Sequence, residues 1–388
     1  MNFPPRRRSG APRPVATPSL EASGSAPQGS REKTGFFELS WKQDGPASIV
    51  VMLVALPLCL GIALASGAPL SSGLLAGVIG GIVVGLVSGS PLMVSGPAAG
   101  LTAIVLAGIT TLGSFPAFLT AVLIGGVLQI GLGLMRAGVI GYYFPTSVIR
   151  GMLAGIGVIL ILKQLPHAVG YDADYVGDES FKQLDGGNTF TAIQESLQSV
   201  QSGAALVCLL GVLILVGWPK VPALKKLKLL PGPLVAVAVG IGLNAVLASV
   251  APDWAIRATH LVQLPIPERA SDLLGYFIFP DLSALAKADV WRIGVTLAIV
   301  ASLESLLSLE ATDKMDPYKR ITPTNRELKA QGLGNLISGL IGGLPVTQVI
   351  VRSSANITFG GKTKMSAILH GVFLLLSALT IASILNMI

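Results

Sequence analysis

The chain has 388 residues, 52% of them hydrophobic and only 12% charged, about half the charged share of a soluble domain. That balance excludes a soluble globular protein and points to a polytopic α-helical membrane protein. The formal charge of +7 sits in the N-terminal tail and in particular loops, so membrane orientation explains it and nucleic acid is not expected as a partner.

Residues 1–40 are rich in Pro, Ser, Arg and Gly and lack periodicity, which predicts a disordered cytoplasmic tail. Arg6, Arg7, Arg8 and Arg13 in it are suited to contact with anionic lipid. No short apolar core with a cleavage site follows, which argues against a targeting role. Residues 41–388 form the membrane domain. The first span is predicted over about Pro46–Ser66, with Pro57 inside it, and the second over about Leu70–Val87. The second carries Gly73, Gly77, Gly81, Gly85 and Gly89 at four-residue spacing, a smooth face for close backbone packing.

The third span is broken: extended PLMV meets Gly96-Pro97, and a helix starts at or just after Pro97, in mid-membrane. Further spans are predicted over about 116–135, 145–162, 202–216, 231–250, 291–309 and 330–343. A polar, mostly acidic stretch (166–201), a basic loop (220–230) and a mixed loop (251–290) lie between them. The tenth span, Gly342–Gly361, is broken again. LPVT is extended, Pro345 blocks helix before it, and a short helix carries Arg352 among Ser353, Ser354, Asn356 and Thr358. The eleventh runs from about Ser366 to Ile388.

With the N-terminus inside, the loops bearing Arg136, Lys220–Lys228, Lys314–Lys329 and Lys362/Lys364 all fall on the cytoplasmic side and the acidic stretch falls outside. The expected location is the inner (cytoplasmic) membrane. The two broken spans lie seven apart, an odd number, which inverts one half relative to the other. The fold class is therefore an all-α, seven-plus-seven inverted-repeat transporter, with about eleven of fourteen spans present. On this reading the chain is expected to stop short of three spans and of any domain beyond them.

An arginine at membrane depth costs roughly 2.5–3.5 kcal/mol, so Arg352 is expected to face a cavity or a partner. Beside a helix N-terminus it makes a seat for an anion. The alternative is a snorkelling arginine near the cytoplasmic helix end, close to Lys362 and Lys364. Glu304, an acid in an apolar span with Ser302, Ser305 and Ser308 nearby, is either an ion-coupling group or a structural partner for Arg352. Thr102, Thr347, Gln348 and Ser353 offer hydrogen bonds, or serve only in helix packing.

ASLESLLS in the eighth span and NRELKAQGLGNLISGLIGGLPVTQVIVRSSANI across the ninth and tenth resemble the SulP (sulfate permease) anion transporters. VALPLCLGIALASGAPLSSGLLAGVIGG, VSGPAAGLTAIV and FPTSVIRGMLAGIGVILILKQLPHAVG fit the same pattern, so the resemblance covers about Phe36–Ile388. It implies a core of spans one to four and eight to eleven. It also implies a gate of spans five to seven with its remaining spans missing, and a STAS domain in many members.

It places an anion site between the two half-helices, at Gly96, Pro97, Ala98 and Ala99 facing Thr347, Gln348, Val351, Arg352 and Ser353. It implies secondary active transport of small inorganic anions of the sulfate or bicarbonate class, with H+ or Na+ coupling through Glu304. Homodimers are common in the family. The SGPAAGL form resembles members linked to carbonic anhydrases, which favours bicarbonate by analogy. One departure stands out: many members have Pro-Gln in the first span where this chain has Pro57-Leu58.

Other motifs lead nowhere. GGKT at 360–363 lacks phosphate-loop spacing, and Asn356-Ile357-Thr358 is a glycosylation triplet inside the broken span. Cys59 and Cys208 read as core residues, and His167, His260 and His370 have no metal spacing. No hydrolase motif marks an intramembrane enzyme. The rival readings are a nucleobase or dicarboxylate carrier on the same fold, which the basic Arg352 disfavours for nucleobases, and an uncoupled anion channel.

Overall fold

The computed structural model describes residues 41–172, 187–221, 231–256, 261 and 275–380. The predicted N-terminal tail, residues 173–186 of the acidic stretch, most of the basic loop, most of the mixed loop and residues 381–388 lie outside the described residues.

In chain order, α1 is Trp41–Ala65 and α2 is Leu70–Val87, with a π-helical turn at Gly80–Val84. A short strand β1 (Ser95–Pro97) leads into α3 (Ala99–Leu112), whose first turn is 3-10. There follow α4 (Phe115–Leu134), α5 (Thr146–Ala168), α6 (Thr189–Gln198), α7 (Ser202–Gly217) and α8 (Gly232–Val250). The chain continues through α9 (Ala288–Met315), α10 (Thr324–Ile341), strand β2 (Val346–Gln348), α11 (Ile350–Thr358) and α12 (Met365–Thr380). Among the described residues six helices (α1, α2, α4, α5, α8 and α9) are long and apolar enough to cross a membrane.

Both broken spans form as expected, and the structure adds what joins them. β1 and β2 pair antiparallel in the register Ser95↔Gln348, Gly96↔Thr347, Pro97↔Val346. Antiparallel pairing gives the two broken elements opposite sense, as inverted repeats require. The glycine stripe of α2 is a packing face. A Cβ at Gly77 would stand 2.7 Å from Cys59 Sγ of α1, and one at Gly81 would stand 2.6 Å from Gly371 Cα of α12. Both helices approach α2 because the glycines leave them room.

Several boundaries differ from expectation, three of them for a reason visible in the hydrogen bonding and charge pattern. α9 runs on to Met315, because the polar residues past Leu309 continue the helix: Lys314 pairs with Glu310 one turn earlier (3.1 Å). α10 starts at Thr324, six residues before the apolar segment, since Arg326 and Glu327 are helical as well. The acidic stretch expected as a loop contains α6, which Asn188 and Thr191 start with reciprocal capping hydrogen bonds.

Candidate functional site

The β1–β2 crossing is held by side chains from α10. Asn335 donates from Nδ2 to the Val346 carbonyl (3.0 Å) and to Gln129 Oε1 on α4 (2.8 Å), and accepts the Val346 N–H at Oδ1 (2.6 Å). One turn earlier, Gln331 Nε2 donates to Ser95 Oγ (2.8 Å) and to Glu327 Oε1 (3.0 Å), and Ser88 Oγ donates to Glu327 Oε2 (2.5 Å). All six side chains are buried. A buried strand three residues long has few ladder bonds of its own, so these side chains supply what its backbone lacks.

The two half-helices begin on either side of this crossing. The first-turn N–H groups of a helix have no acceptor within it, and those of α3 and α11 border a cavity of about 90 Å³. Ala98, Ala99 and Gly100 line it from the α3 side, and Gln348, Val351 and Arg352 from the α11 side. α9 contributes Glu304 and Ser308, α1 contributes Leu58 and Ile62, and α5 closes it with Met152, Ile156 and Leu160. Leu58, the departure from Pro-Gln, therefore puts an apolar side chain on the cavity wall.

Arg352 is wholly buried, which answers the snorkelling alternative: its guanidinium lies in the protein. Nη2 donates to Cys59 Sγ at 3.4 Å. Nε and Nη1 have no hydrogen-bond partner among the described residues. An unsatisfied buried donor costs about 1–3 kcal/mol, more when charged, so the site is built to receive an acceptor. Gly96 makes the space, since a Cβ there would overlap Nη1. Across the cavity a Cβ on Gly100 would stand 3.1 Å from Glu304 Oε1, so the carboxylate faces the start of α3.

Of the residues singled out from sequence, Ala98, Ala99, Gln348, Val351, Arg352 and Glu304 are brought to one cavity. Gly96, Pro97 and Thr347 form the crossing behind it. Ser353 turns away, accepting the Val94 N–H (3.1 Å) and donating to the Val349 carbonyl (2.8 Å), so it fastens α11 to the chain before β1. Asn356 is likewise buried and donates to the Leu92 carbonyl (2.9 Å). Sequence reasoning missed Cys59, taken for plain core, as a partner of Arg352. It also missed His370, buried on α12 within electrostatic range of Arg352. Neither has a sequence neighbour that signals its role. No group of three metal-ligating side chains occurs among the described residues.

Two broken elements crossing antiparallel in a helical membrane body, with a buried cation between their helix starts, define an inverted-repeat membrane carrier fold. Comparison with known proteins makes this specific. The Sulfate permease family model matches residues 41–388, and the chain belongs to that family. It is 30% identical over 353 residues to the putative sulfate transporter YvdB of Bacillus subtilis, covering 90% of this chain and 62% of that one. It is 28% identical over 350 residues to the bicarbonate transporter BicA of Picosynechococcus sp., covering 87% and 57%. The chain thus spans about three-fifths of the length of these relatives. Among solved structures, the transmembrane domain of a cyanobacterium bicarbonate transporter BicA superposes with a TM-score of 0.62 at 26% identity, covering 89% of this chain and 83% of that one. Murine Slc26a9 in its inward-facing state shares the fold, with a TM-score of 0.58 at 14% identity, covering 98% and 66%.

Proposed function

We propose that this chain is the anion-binding part of a secondary active transporter and carries a small inorganic anion of the sulfate or bicarbonate class by alternating access. The observation that carries the reading is Arg352, wholly buried, with two guanidinium nitrogens unpartnered among the described residues, beside a cavity of about 90 Å³. That volume suits a small ion and falls well below the roughly 300 Å³ where sites for larger organic ligands begin. Arg352 supplies the charge, and the first turns of α3 and α11 supply N–H donors. Family membership and the names of the relatives support the class. The family is one of permeases, and no enzymatic step is assigned.

Glu304 faces the same cavity and is the proposed coupling group for H+ or Na+. The proposed placement is the inner membrane with the N-terminus in the cytoplasm, supported by the Lys and Arg bias of the loops. A homodimer and a link to carbonic anhydrase are carried as proposals from family resemblance alone.

The test is ligand-induced thermal stabilisation of the purified chain with bicarbonate, sulfate, chloride, fumarate and uracil, wild type beside Arg352→Ala. One inorganic anion should stabilise the wild type and lose its effect in the variant. Stabilisation by uracil alone, or equal stabilisation of both proteins, overturns the reading. In proteoliposomes of the complete transporter, Glu304→Gln should remove the dependence of uptake on pH or sodium. Unchanged dependence removes Glu304 from coupling and leaves the anion site standing.

A further inference from the structure

A second concavity, of about 320 Å³, lies on the flank of the helical body, away from the anion site. α4 and α10 form its long walls. The 3-10 turn Leu282–Ala286 and the start of α9 close one end. Its lining is apolar apart from Thr120, and much of it is open: Leu282 is 59% exposed, Val127 56%, Trp291 50% and Leu340 45%. The closed end is clamped in place. Thr120 Oγ1 donates to the Asp281 carbonyl (2.7 Å), the Asp281 N–H to the Pro116 carbonyl (3.0 Å), and the Ile278 N–H to the Ile341 carbonyl (3.3 Å). The groove is therefore preformed.

Three observations identify what fills it. Its walls belong to the membrane body, so the groove opens toward hydrocarbon, and an apolar concavity takes an apolar occupant. The small residues of α4 are already used on its inner side. Gly126 lies against the α10 backbone, where an added Cβ would be 2.6 Å from Leu336 N, and a Cβ added at Gly125 would be 3.3 Å from the Gly294 carbonyl oxygen of α9. Helices associate in bilayers through small residues. The groove face offers Leu, Val and Trp instead, which keep a second helix at a distance but accept a flexible chain. The closed end, finally, is polar in the way of a membrane interface. The Trp291 indole N–H donates to the Leu285 carbonyl (2.9 Å), Lys287 follows the turn directly, and the start of α9 carries the exposed Arg292–Asp289 pair (3.0 Å). Positive and negative groups side by side match a zwitterionic headgroup.

We propose that this groove is a resident phospholipid site. One acyl chain lies along the α4–α10 seam, over about 12 Å from Thr120 to Leu128, and a zwitterionic headgroup sits beside Lys287 and Arg292. The site needs only the membrane location and is independent of which anion the cavity takes.

The test uses the full chain purified in detergent with phosphatidylethanolamine and observed intact by mass spectrometry. One lipid per protomer should survive delipidation. Val127→Trp/Leu340→Trp, which fills the groove, should lower its occupancy by about tenfold or more. Leu376→Trp, on the exposed face of α12, should leave it unchanged. Equal occupancy in all three proteins overturns the proposal, as does a dimer that only the groove-filled variant dissociates, because a second copy would then be the occupant. A second measurement leaves the groove lining unchanged. With Trp41, Trp218 and Trp254 replaced by Phe, Trp291 fluorescence is quenched by dibrominated phosphatidylethanolamine in vesicles. Half-maximal quenching should come at a lower bromolipid fraction than for a single tryptophan placed at Leu376. Matching curves mean ordinary boundary lipid and end the proposal.

Discussion

The charges at the candidate site owe their positions to two residues without side chains. Gly96 leaves the space that Arg352 Nη1 occupies, and Gly100 leaves the space in front of Glu304 Oε1. The two approaches differ in tightness, which makes their alanine variants separable. At Gly96 an added Cβ would overlap the guanidinium, which is itself enclosed, so Arg352 has to leave its place. At Gly100 the contact would be 3.1 Å, and the carboxylate end yields by a few tenths of an ångström. Gly96→Ala is therefore expected to weaken anion binding by about tenfold or more, while the protein stays folded. Gly100→Ala should leave anion affinity within a few-fold and change the ion dependence of uptake. Titrations of anion-induced thermal stabilisation on both variants check the contrast. Equal losses in the two would mean that the glycines act through the backbone rather than through the charges they face.

The broken elements were legible in the sequence because their signals are local: Pro97 and Pro345 restrict the backbone, and Arg352 stands out against apolar neighbours. The glycine stripe of α2 was legible for the same reason, since regular spacing on one helix is a property of that helix alone. The strand crossing was not. Three-residue strands have no periodicity to detect, and their partner lies some 250 positions away in the register Gly96↔Thr347. The residues that hold the crossing were equally hidden. Asn335 on α10 carries no signal of its own, because nothing near it in sequence says that its amide brackets Val346. Its removal leaves the Val346 N–H and carbonyl buried without that partner, and an orphaned buried group costs about 1–3 kcal/mol. Asn335→Ala should thus lower stability by at least about 2 kcal/mol and weaken anion binding as the crossing loosens. Unfolding midpoints measured with and without anion test both parts. A variant as stable as wild type would show that β1 and β2 hold each other without α10.

Across the whole molecule, the cavity is walled by two unequal partners. α1, α2, α4 and α9 are well buried in the helical body, whereas most of α5 and the candidate span at α8 is open. α5 meets the site through a narrow apolar seam in which Ile149 packs with Ala311 of α9 and Ile350 of α11, with Met152, Ile156 and Val351 against them. The seam is built from side chain against side chain. Its hydrophobic contacts carry no directional bond to break, so it suits a surface that slides. Alternating access, as proposed, needs such a surface, because one bundle has to rock past the other around a fixed site. Locking the seam should then stop transport without emptying the site. In a complete transporter carrying Cys208→Ser, cysteines introduced at Ile149 and Ala311, which belong to the seam but not to the cavity lining, and joined by a short thiol-reactive linker are expected to abolish anion uptake. Arg352-dependent stabilisation by the anion should persist, and a cleavable linker should restore uptake on reduction. Undiminished uptake in the linked protein would mean that α5 and α9 move as one body, and the moving boundary would have to lie elsewhere in the fold.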